Sequence, residues 1–167
     1  MRVLNRMVLV ALFVCTAQSG LQAAQKDDSW ATDVKEAAKL ILSNSSRPAE
    51  VNRGLTLLFD TANKIAARDT RLPAEFQTKL RAAAKAFTKE PLGAESGEAL
   101  NGAYKVINGG KDFTFPNGVR DIADASRIAQ QHIDRSVKAL ESGQSQQAVR
   151  DILAFILLVS TPMMKQP

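Results

Sequence analysis

The sequence AVRDILAFILLV, at positions 148–159, decides the predicted fold. Its two charged residues, Arg150 and Asp151, lie near its start, and its second half would have no polar side in a helix. A helix that is apolar all round is usually buried in the centre of a protein. We therefore predict that this segment is the central helix of an all-α bundle. The alternative is that its apolar surface is a self-association face for a second copy of the chain.

The composition favours helices over sheets. Hydrophobic residues make up 45% of the 167 residues, and aromatic residues only 5%. Sheets favour aromatic and β-branched side chains, and the sequence has no long run of alternating polar and apolar residues. A chain of this length is long enough for one domain with a sizeable core.

The first 24 residues follow the three-part pattern of a secretory signal peptide. Arg2 and Arg6 form a basic start, an apolar run (MVLVALFV) follows, and small and polar residues come next. The apolar run is too short to cross a bilayer as a stable helix. We expect cleavage after Ala23 or Ala24, with a second possible site at 17–19.

The mature chain is therefore predicted to be residues 25–167, one helical domain located in a bacterial periplasm or outside the cell. Cys15, the only cysteine, lies in the signal segment. A lipoprotein cleavage box needs a small residue before the cysteine, and Val14 is bulky, so we do not expect a lipid anchor there. A mature chain without cysteine has no disulfide and no thiolate metal site.

Apolar residues at intervals of three and four, together with capping and breaking residues, predict an up-and-down bundle of five to six helices. The clearest apolar stripe is Val51, Leu55, Leu58, Ala62 and Ile65. The predicted helices are 29–43, 48–68, 73–90, 94–107, 119–141 and 145–160, the last ending before Thr161 and Pro162.

A basic cluster lies in the middle of the chain. Removal of Arg2 and Arg6 leaves 20 basic and 17 acidic residues, a net charge of +3, and the segment 64–89 alone carries +5. Arg81, Lys85 and Lys89 recur every four residues and so share one face of the third helix. This stripe is either a contact for an anionic partner or an ordinary solvated face. The small net charge and the lack of interleaved aromatic residues argue against nucleic acid.

Phe113 and Phe115 lie in the one irregular segment, 111–118. If exposed, they would form a docking wedge for a partner. If buried, they would close the bundle, with Phe115 packing onto the start of the fifth helix. We favour burial, because isolated domains seldom expose two aromatic rings together.

His132 is the only histidine, and it lies at the edge of the apolar stripe of the fifth helix. One hypothesis is a ligand to haem or metal inside the bundle, with Met163 or Met164 as the second ligand. The other is a boundary histidine in a polar contact, with both methionines closing the bundle. We favour the polar contact, because one histidine and two terminal methionines are few ligands for a site.

Two pairs of carboxylates have a spacing of three, Asp121 with Asp124 and Glu95 with Glu98. Such a pair can share a proton or hold a cation. Each pair lies in the first turn of a predicted helix, where acidic residues are favoured in any case. The sequence contains none of the nucleophile or phosphate-loop motifs that we considered.

The sequence therefore predicts an exported, non-enzymatic helical-bundle protein that binds an anionic envelope component or a protein, with no cofactor, no metal and no stable membrane span. Its expected contacts are Arg81, Lys85, Lys89, Phe113 and Phe115. The alternative is a bundle carrier of haem, metal or a small apolar ligand with His132 at the site.

Overall fold

The computed structural model describes residues 29–43, 47–90, 93–117 and 122–164. This part of the chain contains six helices and no strand, which confirms the predicted all-α bundle. The helices are α1 (29–43), α2 (Pro48–Arg68), α3 (Ala74–Lys89), α4 (Ala94–Ile107), α5 (Ile122–Glu141) and α6 (Ser145–Met164). The predicted signal peptide, Cys15 and the predicted start of α5 at Val119 lie outside the described residues.

Helix α6 is the central helix, as its sequence predicts. It packs against α5, α4 and α2, and every residue from Asp151 to Ser160 is buried. Leu157 is 7% exposed and Leu158 is fully buried by other helices of the same chain. This stretch therefore has no open apolar face for a second copy.

The end of α6 differs from the prediction. The helix passes through Pro162 and ends at Met164, whereas the sequence pattern predicts an end at Ser160. Proline lacks the N–H that would bond to the carbonyl four residues earlier. Pro162 therefore has no N–H to donate to the Leu158 carbonyl, and the helix nevertheless continues for two further residues beyond the proline.

Helices α1 and α2 approach each other closely at Gly54. A Cβ atom at this position would lie 2.7 Å from Cγ1 of Ile41 and 2.8 Å from the carbonyl oxygen of Ala37. Only glycine avoids this overlap, so the closeness of the two helices depends on that residue. At one end of the same pair, the guanidinium of Arg68 lies 5.1 Å from the ring centroid of Trp30.

The hairpin between α5 and α6 turns at Gly143, which has a φ of 67°. The Gln144 N–H donates to the Ala139 carbonyl at 2.8 Å, and the Gly143 N–H donates to the Leu140 carbonyl at 3.0 Å. This pair of bonds is the Schellman motif, which ends a helix with a residue in the left-handed region. It places α6 directly against α5. Within the described residues, no helix combines the length and apolar composition that crossing a membrane requires.

Candidate functional site

The exposed side of α3 carries the predicted basic stripe. Arg81 and Lys85 are exposed, and neither forms an ion pair or hydrogen bond with the part of the chain that the structure describes. Lys89 is also exposed, but its Nζ lies 3.8 Å from Oε2 of Glu95. Arg81 and Lys85 therefore keep their charges available to a partner, and Lys89 is partly balanced within the chain. We call these three residues the basic face of α3.

A groove runs between α2 and α3 beside the basic face. Its floor contains Phe59 and Phe87, whose ring centroids are 4.9 Å apart with the rings tilted by 51°. The groove has a volume of about 290 Å³. It is lined by Asn52, Leu55, Thr56, Phe59, Asp60, Ala84, Phe87 and Thr88. We call it the α2–α3 groove.

Both threonines on the rim of the groove use their hydroxyl protons within their own helices. The Thr56 hydroxyl donates to the Asn52 carbonyl at 2.9 Å, and the Thr88 hydroxyl donates to the Ala84 carbonyl at 2.9 Å. A threonine that bonds in this way has no hydroxyl proton left to donate to a partner. The rim threonines therefore offer no hydroxyl donor to a partner, and Asp60 is the one charged residue that lines the groove.

Phe113 and Phe115 are half-buried, between the two states that the sequence allowed. They pack against the core beside Tyr104. The rings of Tyr104 and Phe113 meet edge to face with centroids 5.5 Å apart, and Phe113 meets Phe115 in the same way at 6.0 Å. Edge-to-face pairs at these distances are favourable beyond their burial. Each ring keeps part of its surface open to a partner.

The segment before these rings is attached to α4 by polar contacts. The Phe113 N–H donates to Oδ1 of Asn101 at 2.9 Å, and Nδ2 of Asn101 donates to Asp112 at 3.0 Å. Nζ of Lys105 donates to the other carboxylate oxygen of Asp112 at 3.1 Å, and this bond lowers the pKa of Asp112. The backbone position of Phe113 is therefore fixed by α4.

His132 makes the polar contact that the sequence favoured. Its Nδ1 atom lies 2.9 Å from Oδ1 of Asp151 on α6 and 2.8 Å from a terminal nitrogen of Arg135. One ring nitrogen cannot donate to the carboxylate and accept from the guanidinium at once, so the tautomer decides which bond forms. Nδ1 is thus enclosed by two charged groups. A ligand at this residue would need Nε2, which lies 3.4 Å from Arg135.

Asp151 is the centre of this polar cluster. Its side chain is 5% exposed, and Arg135 Nε lies 3.4 Å from its Oδ1 atom. Gln147 donates a hydrogen bond to the other carboxylate oxygen of Asp151, and Arg150 donates a hydrogen bond to Gln147. A buried charge is expensive without partners. We conclude that these contacts keep a buried carboxylate satisfied between α5 and α6.

Tyr104 lies in the electric field of the same cluster. Burial raises the pKa of its hydroxyl above the usual value, and the charges of Arg150, Asp151 and Arg135 contribute smaller effects of opposing sign.

The described members of the two predicted carboxylate pairs include two that lie near basic residues. Glu95 faces Lys89, and Oδ1 of Asp124 lies 3.6 Å from Arg127. Asp121 and the side chains of Met163 and Met164 lie outside what the structure describes. Within the described residues, no group of three histidine, cysteine or acidic side chains is arranged to hold a metal ion.

A second cleft, of about 380 Å³, lies between the α2–α3 turn and the start of α6. Asp69 and Arg71 on one side face Gln147 and Arg150 on the other. Arg71 donates to both oxygens of Asp69 at 2.8 and 2.7 Å. This paired bond lowers the pKa of Asp69 to about 2, with a smaller contribution from the hydroxyl of Ser145 on α6.

Two of these arrangements, the contacts of Asp151 and the α2–α3 groove, could not be predicted from the sequence. Asp151 stands among apolar residues, and a charge in such a stretch indicates that a partner must be present. The pattern does not say that the partner is His132. The groove has no sequence signal, because Phe59 and Phe87 lie on two different helices and no local pattern places their rings together. Searches of protein-family models, curated proteins and solved structures find no match to this chain.

Proposed function

We propose that this chain is an exported, non-enzymatic binding protein whose α3 basic face contacts an anionic partner, either an envelope component or an acidic protein. The observation that carries the proposal is the state of Arg81 and Lys85. Both are exposed, one helical turn apart, and unpaired within the described residues. Charges that are not balanced inside a protein are available to attract and orient a partner of opposite charge.

Two further features support a binding role. The α2–α3 groove lies beside the basic face and supplies apolar surface, which the core of an interface normally needs. Phe113 and Phe115 keep part of their rings accessible and are proposed as a second, smaller contact. Aromatic residues held by their surroundings lose little freedom when a partner binds.

The alternative proposal, a carrier with His132 at its site, receives less support from the geometry. Nδ1 of His132 faces Asp151 and Arg135, and a ligand would have to compete with these charges. A His132→Ala variant that loses a bound haem, metal or apolar compound would favour the carrier. Charge reversal at Arg81 and Lys85 would then leave that bound compound unchanged.

Calorimetric titration with poly-L-glutamate, an acidic polymer, tests the proposed function. We expect the double variant Arg81→Glu with Lys85→Glu to lose roughly tenfold or more in affinity. Each reversal replaces an attraction by a repulsion, which weakens the binding free energy by roughly 1 kcal/mol. The matched control is Lys35→Glu with Lys39→Glu. These two exposed lysines have the same spacing on α1 and give the same change in net charge.

The control separates a local contact from a general effect of charge. The proposal expects the α1 variant to keep most of the wild-type affinity. Equal losses in the two double variants would show attraction to net charge alone and would overturn the proposal. So would an unchanged affinity in the α3 variant.

A further inference from the structure

The geometry of α2 and α3 points to a more specific partner. We propose that the α2–α3 groove receives one large apolar side chain of an acidic peptide segment, whose carboxylates lie on Arg81 and Lys85. This inference rests on the proposed function, because it uses the same two cations. It adds the groove as the element that selects among acidic partners.

The two cations border the groove along α3. Ala84 and Thr88 line the groove. Arg81 precedes Ala84 by three residues, and Lys85 precedes Thr88 by three. Residues three apart in a helix are separated by about 60° around its axis and by about one turn along it. A peptide that lies beside the groove therefore has its neighbouring residues within reach of both cations.

The groove is suited to a single side chain. Its floor is two aromatic rings, and its rim threonines have their hydroxyl protons bonded within their own helices. Its volume of about 290 Å³ is near the lower limit of about 300 Å³ for pockets that enclose whole small molecules. An apolar side chain that enters it would leave water and contact Phe59 and Phe87.

The charges around the groove define how the peptide lies. The α3 rim is flanked by Arg81 and Lys85, whereas the α2 rim carries the exposed carboxylate of Asp60. Carboxylates of the partner are attracted to the first rim and repelled by the second. The acidic residues of the peptide therefore lie on the α3 side, and its apolar residue points down between the helices.

The same surface is less suited to a lipid bilayer. Helices that lie on membranes insert large apolar side chains from one face while basic residues hold the headgroups. The large apolar residues of α3, namely Phe76, Leu80 and Phe87, are buried in the bundle. Its exposed apolar residues are the small Ala74 and Ala82. A concave groove accepts a protruding side chain, and it offers nothing to insert into a bilayer.

The test compares two synthetic glutamate-rich peptides that differ at one central residue, leucine in one and alanine in the other. We expect the wild-type protein to bind the leucine peptide about tenfold more tightly, because the groove buries the larger side chain. Ala84→Leu fills the groove from the α3 rim and should abolish this preference, so that the two peptides bind with about equal affinity. Thr56→Leu fills it from the α2 rim and provides a second variant if the first is unstable.

Ala82→Leu is the matched control. It makes the same chemical change on the same helix at an exposed position that lies about 160° around the axis from Ala84. It should keep the tenfold preference. Circular dichroism and thermal unfolding establish that each variant is folded before its affinity is measured.

The outcomes separate this inference from the proposed function. Equal wild-type affinities for the two peptides, or a preference retained in both groove variants, would overturn the groove as a binding site. The proposed function would stand if Arg81→Glu with Lys85→Glu still weakened both peptides. If the double variant bound both peptides as tightly as the wild-type protein does, the groove inference and the proposed function would both be overturned. Binding to phosphatidylglycerol vesicles, with no binding to either peptide, would replace the peptide by a lipid surface.

Discussion

Nδ1 of His132 lies 2.9 Å from Oδ1 of Asp151, and this contact joins α5 to α6 beneath the bundle surface. The exposed fractions of the two side chains are 14% and 5%. The pair belongs to a cluster with Arg135 and Gln147, so the one carboxylate within the apolar stretch of α6 has partners on two helices. We interpret the pair as a structural contact that fixes the α5–α6 hairpin.

The Asp151 cluster gives the first prediction. Asp151→Ala removes the acceptor of Gln147 and the carboxylate that His132 and Arg135 contact. We expect a loss of about 1–3 kcal/mol in the free energy of unfolding, because the part-buried side chains of His132 and Gln147 lose a polar partner, whereas Arg135 is exposed to water. Urea denaturation followed by circular dichroism measures it.

Asp134→Ala is the control for this prediction. Asp134 is exposed on α5 and accepts one hydrogen bond, from Gln130 at 2.9 Å. We expect a change of roughly 0.5 kcal/mol or less for an exposed site of this kind. Similar losses in the two variants would contradict a structural role for the cluster.

The α1–α2 contact gives the second prediction. Gly54→Ala should destabilise the protein by about 1–3 kcal/mol, because the new methyl group overlaps Ile41 and the Ala37 backbone. Gly102→Ala makes the same change within α4, where a Cβ would meet nothing within 4 Å. It should stabilise the protein by up to about 1 kcal/mol, since alanine favours helices more than glycine does. Thermal unfolding of both variants tests whether their stability changes have opposite signs. A stabilising effect of Gly54→Ala would contradict the close approach of α1 and α2 at this residue.

The third prediction concerns Asp69 and pH. Its pKa falls from 3.8 to about 2 in the folded protein, chiefly through the hydrogen bonds from Arg71. A carboxyl group whose pKa is lowered by folding stabilises the protein above its unfolded pKa, and the effect is lost as the pH falls through the folded pKa. Asp69→Asn should therefore cost roughly 1 kcal/mol near neutral pH, a modest value because Arg71 is exposed.

The pH dependence distinguishes this account of Asp69 from a simple packing role. The difference in unfolding free energy between wild type and Asp69→Asn should shrink as the pH is lowered from about 4 to about 2. Glu98→Gln, at an exposed position on α4, serves as a neutral control. A difference that stays constant over this range would mean that the charge of Asp69 does not contribute.

Thr61 gives the fourth prediction. Its side-chain oxygen is buried on α2 and has no hydrogen-bond partner in the described part of the chain. Thr61→Val replaces the hydroxyl by a methyl group of similar shape, and we expect a gain of roughly 1 kcal/mol from removing an unsatisfied polar atom. Thr88→Val, at an exposed position, should change stability by about 0.5 kcal/mol or less. Chemical denaturation of both variants tests this, and a clear loss in Thr61→Val would show that the hydroxyl has a partner.

Much of the bundle follows from the sequence, because local signals mark where helices begin and end. Pro48 and the Asn108-Gly109-Gly110 turn predict the start of α2 and the end of α4 at the observed residues. The apolar stripe of α2 is buried as predicted. The predicted end of α6 at Ser160 was wrong, since the helix continues through Pro162 to Met164 although proline removes one hydrogen bond.

The contacts between helices do not follow from the sequence in the same way. Helical periodicity tells which face of α5 is buried, but it does not tell which residue of α6 lies opposite His132. The α2–α3 groove could not be predicted for the same reason, since it forms only because the helices that carry Phe59 and Phe87 lie side by side. The basic face was predicted because it depends on the spacing within one helix.

The central claim is that α3 presents a binding face for an anionic partner. Nuclear magnetic resonance titration of the ¹⁵N-labelled protein with poly-L-glutamate tests it most directly, because each backbone amide reports its own environment. We predict that the largest shifts occur along α3, at Arg81 and Lys85 and at their neighbours beside the groove. Largest shifts elsewhere, such as at Lys35 and Lys39 on α1, or no shifts at all, would contradict the account.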